Sequence, residues 1–221
     1  HTWFQFLLAT NEAKDYWMDE GFAQYYGEWA ESEVLNTDFN KTIETVYDVY
    51  ASLAKSGYEQ PLTTHADRFN FNQTYSISAY YKGFIFLSQL GYVIGEEALA
   101  KTIKTYFNEW AFKHPKPNDF IRVAEKVSGL HLGWYLTDFA QTTNTIDYAV
   151  KSVVNNTITL ERIGVMPMPI DLKVTYSDGS SEDFHIPLRM MHGHKPTSAT
   201  VMSDWAWAYP TYSFETTKPI K

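Results

Sequence analysis

The apolar residues of this chain keep two different rhythms, and the single change between them constrains the fold more than any other feature. Up to about residue 142 they recur at intervals of three and four, and beyond Asn155 they alternate with polar residues. The first spacing lines one face of a helix, the second one face of a strand. A chain that uses each rhythm in one block is expected to be α+β and multidomain, with a helical part followed by a small β-sandwich. The composition shifts between residues 148 and 156, so the expected domains are 1–152 and 153–221.

Helices are expected over 17–35, 38–55, 74–94, 96–112, 118–128 and 132–142. Gly57, Gly95 and Gly129 are suited to helix ends, Asn118 to a helix start, and His114-Pro115-Lys116-Pro117 to a break. The stretch 57–72, with Pro61 and many polar residues, reads as a loop. In the second block, Leu172, Val174 and Tyr176 share a predicted strand face, and Ser177-Asp178-Gly179-Ser180 marks a hairpin turn. Phe184, Ile186 and Leu188 resume the alternation, and Trp205, Trp207 and Tyr209 repeat it.

Hydrophobic residues make up 44% of the 221, enough for a substantial core. Eighteen basic against 26 acidic residues give a net charge of −8, which excludes a basic nucleic-acid footprint. The absence of cysteine excludes disulfides and thiolate metal sites. No apolar run reaches the ~18 residues of a membrane span. His1 to Thr10 lacks the basic start of a signal peptide.

Two residues suggest metal chemistry. His1 and Glu20 have 18 residues between them, and Glu20 lies in the run Trp17-Met18-Asp19-Glu20-Gly21-Phe22-Ala23. Zinc takes imidazole nitrogen and carboxylate oxygen, with one position left open when catalysis is intended. Farther on comes Tyr80-Tyr81-Lys82-Gly83. Asp19 beside Glu20 is a poor pair for sugar hydrolysis, because adjacent helical residues face different ways. His192-Gly193-His194 invites a metal reading but fits a solvated turn better.

In this order and spacing the motifs resemble the gluzincin zinc aminopeptidases of the aminopeptidase N and leukotriene-A hydrolase type. The family pattern is H-E-x-x-H, 18 residues, then Glu in W-L-x-E-G-F-A, then Y-x-K-G. The resemblance covers roughly residues 1–150 and includes Phe112-Lys113-His114-Pro115, Asp119-Phe120 and Ser128-Gly129. It implies the helical C-terminal half of a thermolysin-like catalytic domain, followed by the β domain. It implies His1 and Glu20 as Zn2+ ligands and Tyr80 as the donor to the oxyanion, with Tyr75 facing the same cleft and Lys82 structural. It implies peptide substrates cleaved by metal-activated water at the N-terminus. The first zinc His and the general-base Glu would lie upstream of His1, so the 221 residues are expected to be a fragment that binds zinc poorly and is inactive alone. The alternatives are a non-catalytic peptidase-like interaction module and, more remotely, a carbohydrate-binding protein. A cell-envelope, periplasmic or secreted location is expected over a cytoplasmic one.

Overall fold

The structure, a computed structural model, describes residues 2–221. The chain forms two compact units. The first runs to Ser128 and takes in Leu132–Thr143; the second comprises Gly129–His131 and Asn144–Lys221. Strand structure therefore begins ahead of the composition change at Asn155, because the first strand is largely exposed and its valines do not alternate.

The first unit is helical: α1 (Tyr16–Leu35), α2 (Phe39–Ser56), α3 (Asn72–Ser76), α4 (Gly83–Ile94), α5 (Glu96–Trp110), α6 (Pro117–Ser128) and α7 (Gly133–Gln141). Of two π-helical segments, Trp3–Leu8 precedes α1 and Ile77–Lys82 joins α3 to α4. The second interrupts what periodicity alone reads as one helix over 74–94. Asp38 caps α2 by accepting from the Asn40 N–H at 3.0 Å. Pro117 occupies the first position of α6, where its missing N–H costs nothing, so Asn118 lies inside the helix and not at its cap.

Helix α4 is the centre of this unit. Phe84, Ile85, Phe86, Leu87, Leu90, Val93 and Ile94 are all buried, so nearly its whole circumference is core. It packs on α1 and α5. Phe86 stands 4.8 Å from Trp17 and 5.4 Å from Phe139, and Phe22 5.0 Å from Phe120, ring centre to ring centre. Burying each such side chain contributes about 1.5–3 kcal/mol.

One ion pair is sealed inside this unit. Lys82 Nζ lies 2.6 Å from Glu59 Oε1, and the two side chains are 2% and 5% exposed. Burial lowers the lysine's pKa, and the neighbouring Glu59 carboxylate opposes that shift. Removing one partner would strand the other's charge, at about 3–5 kcal/mol.

The second unit carries two three-stranded sheets. Strands β1 (Tyr148–Val154), β2 (Thr157–Arg162) and β6 (Thr211–Glu215) form one in the order β1-β2-β6. Strands β3 (Ile170–Thr175), β4 (Ser181–Ile186) and β5 (Thr200–Val201) form the other in chain order. All pairings are antiparallel except β4 with β5. Phe184 and Phe214, 5.2 Å apart, link the inner faces of the two sheets. The predicted hairpin between β3 and β4 turns at Gly179, whose φ of +84° suits glycine.

One strand expectation needs correction. The stretch from Trp205 to Tyr209 is not a strand: Trp205 is buried at an isolated bridge to Leu188, while Trp207 and Tyr209 are exposed. On β4, His185 is buried as fully as its apolar neighbours: Asp171 Oδ1 lies 2.6 Å from its Nδ1, while its Nε2 has no hydrogen-bond partner among the described residues. Among the described residues no helix is long and apolar enough to cross a membrane.

Candidate functional site

The site lies where α1 meets the segment Ile77–Lys82, and two glycines set that meeting. A Cβ on Gly21 would overlap the Cα and carbonyl carbon of Gly83 and lie 2.8 Å from Phe84 N. A Cβ on Gly83 would lie 2.7 Å from Trp17 O. Only residues without side chains let the two backbones approach this closely. Each glycine directly follows a motif residue, Glu20 in one case and Lys82 in the other, so the contact fixes the separation of the residues just before it.

Across this contact the Tyr80 hydroxyl donates a hydrogen bond to the Glu20 carboxylate. Tyr80 is half-buried, and its phenol pKa is pushed up to about 12 by burial, then by the hydrogen bond to and the charge of Glu20. The hydroxyl therefore keeps its proton at neutral pH. Tyr75, one turn earlier, is also half-buried and packs 5.0 Å from Tyr16 and 5.6 Å from Phe69. Its phenol pKa is raised by burial and then by Glu20, Glu12 and Asp19, which brings a second phenol into the field of the same carboxylates.

Asp19 is buried, and burial, then Glu20 and Glu12, raise its pKa to about 7. Its Oδ1 has no hydrogen-bond partner among the described residues. Glu12 and Glu20 thus bring negative charge to bear on Asp19 and Tyr75, an arrangement that a cation would relieve. A carboxylate on a packed helix is a suitable ligand for zinc. His1, the other expected ligand, lies outside the described residues. Among the described residues no three His, Asp or Glu side chains are arranged to hold a metal ion.

Sequence reasoning singled out Glu20 and Tyr80, which the fold brings together. It passed over Glu12, which bonds Gln5 Nε2 at 2.8 Å, and gave Asp19 no role beyond a rejected sugar-cleaving pair. Adjacency to the motif was the only signal available for either. His192 and His194 are exposed, in keeping with a turn. A cavity of about 610 Å³, lined by Thr10, Asp15, His114, Lys116 and Gln141 among others, includes neither Glu20 nor Tyr80 in its wall.

The Peptidase family M1 domain matches residues 1–142. Aminopeptidase N of Streptomyces lividans is 26% identical over 138 residues, covering 60% of this chain and 16% of that protein. The curated relatives it matches are far longer, and the chain spans only 12–20% of their length. Among solved structures, the M1 zinc metallopeptidase of Deinococcus radiodurans superposes with a TM-score of 0.54 at 22% identity, covering 66% of this chain and 32% of that one. Legionella pneumophila aminopeptidase A, solved with aspartic acid, gives a TM-score of 0.52 at 14% identity over 93% of this chain and 22% of that one. These structural likenesses speak for the fold in both units. With the family's domain matched over most of its helical unit, and with the Glu20 and Tyr80 motifs falling inside that match, this chain belongs to peptidase family M1.

Proposed function

We propose that these residues are part of a longer zinc aminopeptidase that removes N-terminal residues from peptides. His1 and Glu20 would be two of its three protein zinc ligands, and Tyr80 the donor to the oxyanion. The hydrogen bond between Tyr80 and Glu20 carries this reading, because it joins the two separate sequence motifs at one point. The 12–20% coverage of the relatives supports a longer whole, and the names of those relatives, aminopeptidases B and N, support the exopeptidase specificity.

Bound zinc supplies Lewis acidity toward the scissile carbonyl and lowers the pKa of water toward neutrality. The remaining chemistry belongs to the chain. Glu20 presents its carboxylate from the first turns of α1, the half of that helix that is packed into the core. Tyr80 offers a neutral O–H that strengthens its hydrogen bond as charge grows on the carbonyl oxygen, which is what lowers a barrier. The 221 residues contain neither a first zinc His nor a general-base Glu in the family's pattern, so on this reading they do not hydrolyse peptides unaided.

The test is the whole protein. Its sequence should read His-Glu-x-x immediately before His1, and it should hydrolyse aminoacyl p-nitroanilides in a reaction stopped by chelation and restored by zinc. A replaced His or Glu at those positions, with no hydrolysis, would favour the non-catalytic interaction module.

A further inference from the structure

Lys82 ends the π-helical segment that carries Tyr80, and its side chain leaves the site altogether. Its ammonium donates to Glu59 Oε1 at 2.6 Å and to the Thr142 carbonyl at 3.3 Å. The Tyr50 hydroxyl donates to the same Glu59 oxygen at 3.0 Å, and the rings of Tyr50 and Phe139 each lie 5.8 Å from the ammonium. One side chain thus ties the segment to α2, to the loop after α2, and to the end of α7.

A π-helical turn is rare, and it persists where something other than local propensity holds it. Here two constraints act side by side. Gly83 is seated against the backbone of α1, and Lys82 is drawn the other way into the ion pair. The contact with α1 limits how near the segment comes, whereas the ion pair limits how it rotates about its own axis. Rotation decides whether the phenol of Tyr80 meets the Glu20 carboxylate. A buried ion pair adds little net stability compared with apolar residues of the same size, so stability alone does not account for this one.

We propose that Lys82, held by Glu59, is a positioning residue for Tyr80: the ion pair sets the rotation of Ile77–Lys82 and so keeps the phenol on Glu20. Its relevance to catalysis rests on the reading of Tyr80 as the oxyanion donor. The clamp itself can be tested without catalysis.

The experiment is 19F NMR of the full 221-residue chain with 3-fluorotyrosine placed only at position 80. Glu20→Gln marks the resonance of the phenol once the carboxylate is gone. The paired variant Lys82→Met/Glu59→Met removes the ion pair without stranding a charge. The expected result is a paired variant that melts close to the native chain while its Tyr80 resonance moves, by more than its linewidth, toward the Glu20→Gln position. A folded paired variant with the native resonance would overturn the proposal, since a merely structural ion pair changes melting and leaves the phenol in place. If the paired variant does not fold, Glu59→Gln is read in the same way with the same two outcomes. The role of Tyr80 is judged separately, by turnover of Tyr80→Phe in the whole enzyme, so failure of one idea is not mistaken for failure of the other.

Discussion

The Tyr80 hydroxyl donates to the Glu20 carboxylate across the contact between the segment Ile77–Lys82 and α1. The phenol has a single O–H, so donation to a charge that appears during reaction requires it to turn from the carboxylate, which a metal bound to Glu20 would favour. In the whole enzyme Tyr80→Phe should lower kcat by about 10²–10³-fold, the cost of losing one such donor. Zinc content should stay unchanged. Steady-state kinetics beside metal analysis will check this; unaltered turnover would leave Tyr80 as a packing residue only.

The glycine contact predicts a contrast within a single helix. Gly21→Ala would drive a methyl into the backbone of Gly83, whereas a Cβ on Gly27 meets nothing within 4 Å. Urea denaturation of the chain should show Gly21→Ala destabilised by about 1–3 kcal/mol or more. Gly27→Ala should be stabilised by roughly 0.5–1 kcal/mol, as expected for a helix interior. Equal effects at the two positions would mean that the backbones are not in close contact.

The aromatic core should respond to truncation at its centre. Phe86 is buried and packs on Trp17, Phe22, Phe120, Tyr135 and Phe139. Phe86→Ala should cost about 3–5 kcal/mol in chemical denaturation. A loss under 1 kcal/mol would contradict the packing described.

Much of this architecture is legible in the sequence, for identifiable reasons. Helices α2, α5 and α6 show because their apolar residues keep to one face, and Gly57 stops α2 in the left-handed conformation. The hairpin at Gly179 shows because only certain residues turn a chain so tightly. The π-helical segment does not show: from Tyr75 to Phe84 the residues fit an ordinary helix equally well, and tertiary contacts choose between the two. The burial of His185 does not show either, since nothing in the sequence pairs it with Asp171 on the neighbouring strand. Glu20 and Tyr80 were legible through their motifs, while the involvement of Glu12 and Asp19 depends on spatial proximity that no spacing rule encodes.

The Asp171 carboxyl predicts a pH dependence in the second unit. Burial raises its pKa, but hydrogen bonds and charge from His185 and Lys195 outweigh burial and hold it below the usual carboxylate range. As pH falls, the unfolded chain therefore takes up this proton first. The stabilisation is fully present above the unfolded pKa of about 4 and is lost as pH drops through the folded value. Thermal melting followed as a function of pH should show Asp171→Asn with a shallower acid slope than the native chain. An unchanged slope would remove Asp171 from the account.

The central claim is that Glu20 is a metal ligand in a zinc peptidase site. The most direct test is to measure bound zinc and turnover together in the whole enzyme, native and Glu20→Ala. The expected result is that the variant loses both its zinc and its aminoacyl p-nitroanilide hydrolysis while keeping the native circular dichroism. A variant that retains stoichiometric zinc and native turnover would contradict the account.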